Sequence, residues 1–88
     1  MRKYSDSLQA VNRSLELKPF AENWDTKGAA LYGLGKYADA IECYNKAIKF
    51  NSEIGEIWNH KGEALKAINQ TTDANLAYAK AKELGYTG

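Results

Sequence analysis

The sequence predicts an all-α protein made of stacked helical hairpins. Two observations indicate this class: the chain repeats itself at a spacing of 34 residues, and each copy carries two stripes of apolar residues at helical spacing. Residues 21–54 align with residues 55–88, and eleven aligned pairs are identical, where composition alone would give roughly two or three. The identical pairs are Glu22/Glu56, Trp24/Trp58, Lys27/Lys61, Gly28/Gly62, Ala30/Ala64, Leu31/Leu65, Asp39/Asp73, Ala40/Ala74, Tyr44/Tyr78, Lys46/Lys80 and Ala47/Ala81.

The predicted elements follow this repeat in order. A partial third copy precedes the other two at an offset of 33 residues, so we expect one repeat domain. Residues 1–20 would hold the second helix of a partial repeat, residues 21–54 a full repeat, and residues 55–88 a C-terminal repeat. The five expected helices span residues 4–17, 22–33, 37–50, 56–67 and 72–84.

Turn residues mark the ends of these helices. Gly35 follows the first helix of the full repeat and can take the left-handed backbone conformation that ends a helix. Asn69 stands at the equivalent place in the last copy and is the next best residue for that conformation. Thr71 and Thr72 are then expected to cap the following helix. Gly85 is typical of a helix stop near the C-terminus.

Small residues inside the helices predict where helices cross. Gly28 and Gly62 lie in the first helices of their repeats, where an interior glycine costs about 1 kcal/mol. A close approach of two helices explains why the sequence accepts that cost. The large residues expected to fill the volume beside these crossings are Trp24, Tyr44, Trp58 and Tyr78.

The full repeat resembles the tetratricopeptide repeat. Its signature residues are Trp24-x-x-Lys27-Gly28-x-x-Leu31, followed by Gly35-Lys36-Tyr37-x-x-Ala40-Ile41-x-x-Tyr44-x-x-Ala47-Ile48. The last copy departs from this pattern at Thr71, Asn75 and Lys82. The resemblance implies a right-handed solenoid of about two and a half repeats. It also implies that the first helices line a concave groove, which binds a peptide or a protein segment.

The resemblance further implies which residues face that groove. The family's groove positions fall on two quartets, each on one helix face: Glu22, Asp25, Ala29 and Tyr32, then Glu56, Asn59, Glu63 and Lys66. Four carboxylates opposed by one lysine favour a basic or neutral partner segment. They argue against the acidic chaperone tail that some family members clamp with Lys and Asn. The alternative is that these residues are merely a solvated face.

The N-terminal edge supports a second functional hypothesis. The chain begins at a predicted second helix, so Tyr4, Leu8 and Val11 are expected to lack a covering helix. Self-assembly as a homodimer or scaffold through this edge is therefore the alternative to the binding module. At the other end an apolar stripe becomes polar at Asn75 and Lys82, so we expect the array to end there.

Composition and residue types argue against several other classes. The net charge of +1 argues against nucleic-acid binding, and no apolar run reaches the roughly 18 residues of a membrane span. His60 and Cys43 are the only residues of their kind, and neither has a sequence neighbour at metal-ligand spacing. We therefore expect both to be surface or filler residues, with no metal site, no cofactor and no enzymatic activity. One cysteine and no signal-like segment favour the cytoplasm.

Overall fold

The structure is a computed structural model that describes residues 20–87. Within that range it contains four α-helices and no strand: α1 (Ala21–Gly33), α2 (Tyr37–Phe50), α3 (Gly55–Ala67) and α4 (Thr71–Glu83). The all-α class is confirmed, and each of these four helices begins and ends within one residue of its predicted bounds. The helix predicted at residues 4–17 lies outside the described residues, as does the N-terminal edge of Tyr4, Leu8 and Val11.

The helices pack as two successive hairpins. The main contacts join α1 to α2 and α3 to α4, while α2 and α3 hold the two hairpins together. A smaller contact joins α1 directly to α3. The first helices of the two repeats are therefore neighbours, and the residues on them can meet although they are more than 30 residues apart in sequence. Among residues 20–87, no helix is long and apolar enough to cross a membrane.

Three helices end in the same left-handed turn, which the sequence predicted from its glycines and one asparagine. The backbone φ angle is +81° at Gly35, +65° at Asn69 and +93° at Gly85. At each turn the next backbone N–H donates to a carbonyl five residues earlier, as Lys36 does to Leu31 at 2.9 Å. These turns direct each chain segment back along the preceding helix or out of the last one.

The prediction that Thr71 and Thr72 cap the last helix is wrong. α4 already begins at Thr71, and the capping position falls on Gln70, whose side chain makes no capping hydrogen bond. The reason is the preceding turn: the backbone N–H of Gln70 bonds to the carbonyl of Leu65 at 2.9 Å, and the backbone carbonyl of Gln70 accepts from Ala74 at 2.9 Å. The short connection thus leads into the helix without a side-chain cap.

The interior glycines lie at helix crossings, as the sequence predicted. A Cβ atom added to Gly28 would lie 2.5 Å from Cε1 of Tyr44, and one added to Gly62 would lie 2.8 Å from the ring of Tyr78. Each tyrosine of a second helix therefore packs directly on the backbone of the first helix of its repeat. The buried residues around them are Ala21, Leu31, Ala40, Cys43, Tyr44, Ala47, Ile57 and Ala64 in one cluster and Leu65, Ala74 and Ala77 in a second.

The two tryptophans pack at the edges of this core rather than in its centre. Both are partly buried, Trp24 against the first cluster and Trp58 against the second. The indole N–H of Trp58 donates to the carbonyl of Ser52 at 2.8 Å. A lysine ammonium lies over each ring, 4.6 Å from the Trp24 centroid for Lys46 and 5.3 Å from the Trp58 centroid for Lys61. These contacts support the predicted packing role of the tryptophans.

Candidate functional site

The two predicted groove quartets lie on α1 and α3, the first helices that contact each other. Every member has at least part of its surface open to solvent, and none belongs to the buried core. Asp25, Tyr32 and Asn59 are partly buried. The exposed members are Glu22, Ala29, Glu56, Glu63 and Lys66. This exposure fits both a ligand-binding face and a merely solvated face. The contacts between the two helices distinguish these alternatives better.

One such contact joins the two quartets through His60. The Nδ1 atom of His60 lies 2.8 Å from Oδ1 of Asp25, and its Nε2 atom lies 3.8 Å from Oε1 of Glu56. The imidazole ring also packs against the buried ring of Tyr44, with 5.8 Å between centroids. Hydrogen bonding to Asp25 is the main reason why the pKa of His60 is raised, and burial acts in the opposite direction. Two carboxylates of the predicted groove thus lie beside one histidine ring.

A second part of the face is built around Glu63. Its carboxylate accepts a hydrogen bond from the Asn59 side chain at 3.3 Å and makes no ion pair with any residue of the described range. Burial raises the pKa of the Tyr32 and Tyr78 hydroxyls, and in both cases the charge of Glu63 contributes. Tyr32 also meets Tyr37 edge to face, with 5.2 Å between ring centroids. The charge of Glu63 therefore acts on tyrosine hydroxyls of both α1 and α4.

Two predicted groove residues, Glu22 and Asn59, also line surface concavities. Glu22 lies at the start of α1, where it lines a surface concavity of about 330 Å³ with Phe20, Phe50 and Ile54. At the far end Asn59 lines another concavity of about 290 Å³, which Tyr78 and the C-terminal segment complete. The set predicted from the resemblance is therefore spread along the α1–α3 face, and only its central part converges.

Sequence reasoning missed two residues of this site, His60 and Tyr78, as site members. His60 was expected to be a surface or filler residue because nothing close in sequence could pair with it. Its partner Asp25 is 35 residues away. The repeat itself carried the signal: a 34-residue spacing brings position 25 next to positions 59 and 60 on neighbouring first helices. Cys43 is the expected filler, buried at 5% exposure, and burial raises the pKa of its thiol.

In the described part of the chain, one group of three side chains has donor atoms close enough together for a metal ion: Asp25, Glu56 and His60. One ligand atom each from Asp25, Glu56 and His60 fall within 4.8 Å of one another. The two carboxylates, however, face opposite nitrogens of the imidazole ring. An ion bound at one ring nitrogen would therefore not reach both carboxylates without rearrangement. The arrangement is a charge-paired contact between repeats, as the geometry stands.

Paired helices that recur every 34 residues, with a polar face on the first helices, define a helical-repeat scaffold. The tetratricopeptide repeat family matches residues 26–53 of the chain. This match and the relatives described below support assignment of the chain to the tetratricopeptide repeat family. This repeat and fold are typical of non-enzymatic modules, and they support a protein–protein interaction module in general.

Two relatives carry the same type of repeat. A "Heat shock protein sti1 homolog" of Schizosaccharomyces pombe is 36% identical over 55 residues, which are 61% of this chain and 9% of that protein. A TPR repeat-containing protein of Methanocaldococcus jannaschii is 40% identical over 50 residues, or 57% of this chain and 9% of that protein. The chain therefore spans about a tenth of the length of each relative. These similarities concern the repeat and not the whole relatives.

Comparison with solved structures gives the same fold. The chain superposes on "MamA MSR-1 C2" with a TM-score of 0.86, covering 93% of this chain and 48% of that one. Sequence identity is 22%, so the likeness concerns the fold alone.

Proposed function

We propose that the α1–α3 face binds an extended or helical segment of a partner protein, and that the segment carries Lys or Arg. The central observation is Glu63, an exposed carboxylate without an ion-pair partner among residues 20–87 and with Tyr32 and Tyr78 nearby. A cation that contacts a carboxylate and the face of an aromatic ring gains from both. This combination favours a basic side chain over an acidic one.

The surrounding surface supports an elongated ligand. Asn59, which donates to Glu63, also lines the concavity with Tyr78, and His60, which pairs with Asp25, lies about one helical turn from Glu63 on α3. Recognition of an extended or helical segment needs a row of subsites of this kind along one face. Exposed charge pairs contribute about 0–1 kcal/mol each, so we expect micromolar or weaker affinity from charge alone.

The similarity to a heat shock protein does not change this charge argument. An acidic chaperone tail would require Lys and Asn at two positions of each first helix. Those positions hold Asp25 and Ala29 in α1, and Asn59 and Glu63 in α3. Carboxylates at two of the four would repel an acidic tail, and the Asn59 amide already donates to Glu63. The proposed ligand is therefore basic rather than acidic.

The test is titration of the 88-residue chain with two matched blocked peptides, one with lysines and one with glutamates at the same positions. We expect the lysine peptide to bind more tightly at low salt. Its affinity should fall as the Debye length shrinks from about 10 Å at 0.1 M to 3 Å at 1 M. Tighter binding of the glutamate peptide would overturn the proposal.

Matched carboxamide variants locate the binding face. Glu63→Gln should weaken binding of the lysine peptide, because it removes the charge but keeps the shape of the side chain. Glu42→Gln makes the same change on an exposed residue of α2 outside the predicted groove and should leave the affinity unchanged. Equal losses in both variants would mean that the peptide senses overall charge rather than this face.

A further inference from the structure

The side chain of His60 lies beside carboxylates of both first helices. It bridges Asp25 of α1 and Glu56 of α3, and its side chain keeps 24% of its surface exposed. The charged and titratable groups that face it are those two carboxylates, Glu63 on its own helix and the buried Tyr44 ring on α2. All of the carboxylates in this set also belong to the proposed groove. Any change in the charge of His60 therefore changes the field that a ligand meets.

The geometry assigns the two ring nitrogens different tasks. The carboxylate of Asp25 can only accept, so Nδ1 must carry a hydrogen and donate it at 2.8 Å in both charge states of the ring. Nε2 is then the atom that gains or loses a proton. When it carries the proton, the ring is a cation between two carboxylates, with Nε2 3.8 Å from Oε1 of Glu56. When it does not, the same two carboxylates are opposed by no charge on the ring.

We infer that His60 is a specificity-determining residue of this face, which admits cationic ligand side chains more readily when its Nε2 is unprotonated. This inference rests on the proposed function. In the protonated form His60 neutralises part of the charge of Asp25 and Glu56, and Glu63 remains as the main open carboxylate. In the neutral form all three carboxylates attract a ligand's Lys or Arg. Histidine is the side chain whose ordinary pKa places such a change between pH 5 and 8.

The sign of the effect follows from linkage. A ligand cation beside His60 disfavours the protonated ring, so binding should release protons and the affinity should rise with pH. Loss of one positive charge a few ångströms from the ligand predicts binding about three- to fivefold tighter at pH 8 than at pH 5.5. Reciprocally, the bound ligand should lower the pKa of His60.

The experiment is titration of the 88-residue chain with a blocked lysine peptide that lacks His, Asp and Glu, at pH 5.5 and pH 8 and constant ionic strength. The expected result for the parent chain is the three- to fivefold gain at pH 8. His60→Gln keeps a hydrogen-bond donor for Asp25 but cannot be protonated, so its affinity should be high at both pH values. Glu63→Gln should weaken binding at both values while the ratio between them persists.

A second measurement does not depend on any variant. His60 is the only histidine, so its ring protons give one set of NMR signals whose pH titration can be followed with and without the peptide. A lower pKa in the presence of the peptide supports the inference. An unchanged or higher pKa, or a pH ratio that survives in His60→Gln, overturns it while peptide binding itself stands. No binding at either pH would instead refute the proposed function.

Discussion

The two hairpins carry the same signature residues but bury them to different extents. Tyr44 of α2 is 2% exposed, whereas Tyr78 at the equivalent place in α4 is partly open to solvent. Both rings pack on the glycine of their own repeat. The difference comes from what lies beyond: α3 covers Tyr44 with His60, while Tyr78 borders the concavity shared with Asn59. A repeat residue is thus buried by the neighbouring repeat as much as by its own.

The two repeats also differ along the residue stripe that is apolar on α2 and polar on α4. Ile41 and Ile48 of α2 are partly buried and pack against the first core cluster, whereas Asn75 and Lys82 of α4 are exposed. An apolar side chain gains roughly 25 cal/mol for each Å² removed from water, so the stripe stays apolar where a following repeat packs on it. Core substitutions in the first hairpin are therefore expected to lower the free energy of unfolding more than the same substitutions in the second.

The largest expected difference is between Tyr44→Ala and Tyr78→Ala. Removing the buried ring of Tyr44 leaves a cavity, and comparable aromatic truncations cost about 3–5 kcal/mol of unfolding free energy. The same change at Tyr78 removes a partly hydrated ring and should cost roughly 1–3 kcal/mol. Chemical denaturation followed by circular dichroism measures both. Equal costs would show that the second repeat is as tightly packed as the first.

Alanine substitution of the two crossing glycines should also destabilise the first repeat more than the second. In Gly28→Ala the new methyl lies 2.5 Å from a ring that is buried and cannot move aside, so we expect a loss of about 1–3 kcal/mol. In Gly62→Ala the ring of Tyr78 can shift toward solvent, which leaves a tight contact of 3.2 Å with the backbone carbonyl of Ala74. The better helix propensity of alanine offsets up to about 1 kcal/mol. The second variant should thus unfold within about 1 kcal/mol of the parent.

These glycine variants are measured by the same denaturation experiment. Ala29→Gly, on an exposed face of α1, is the propensity control, because it changes the same pair of residue types without a crossing. A Gly28→Ala chain that is as stable as the parent would contradict the close approach of α1 and α2.

The smallest expected effect is the pH dependence of stability that His60 confers. Its pKa is raised in the folded chain above its ordinary value of about 6.5, so the folded state binds the proton more tightly than the unfolded state does. This contribution is fully present below pH 6.5 and is lost as the pH rises through the raised pKa. The melting temperature of the parent chain should therefore fall between pH 6 and pH 8.

Thermal melts of the parent, His60→Gln and Asp25→Asn test this pH dependence. In both variants the melting temperature should decrease much less between pH 6 and pH 8. His60→Gln lacks the titrating ring, and Asp25→Asn lacks the carboxylate that raises the pKa of that ring. A parent chain whose melting temperature rises over the same interval would contradict the ion pair between the repeats.

Most of the fold could be predicted from the sequence because the information was local or periodic. The left-handed turns at Gly35 and Asn69 follow from residue types that tolerate a positive φ, and the helix bounds follow from the apolar stripes. The missing side-chain cap at the start of α4 could not be predicted, because the turn before it satisfies the backbone hydrogen bonds instead. The handedness and the N-terminal helix stay predictions.

The site was less predictable than the fold. The groove positions came from a resemblance, which assigns positions on a helix but not the contacts between helices. His60 joins the site through Asp25, which is 35 residues away, and Tyr78 joins it through the charge of Glu63 on another helix. The local charge around Asp25 and Glu56 depends on whether His60 is protonated. Charge on a face depends on distances of a few ångströms, which sequence spacing does not give.

The sequence by itself determined the repeat length, the class of the fold, the crossings at Gly28 and Gly62, and the placement of four carboxylates on first helices. Those features depend on periodicity and on the size of residues, which are written along the chain. The tertiary structure decided which of these carboxylates are paired and which are open, because α1 and α3 meet only in the packed arrangement of the two hairpins. A hydrogen bond of 2.8 Å between Asp25 and His60 is a property of that packing and of no single segment.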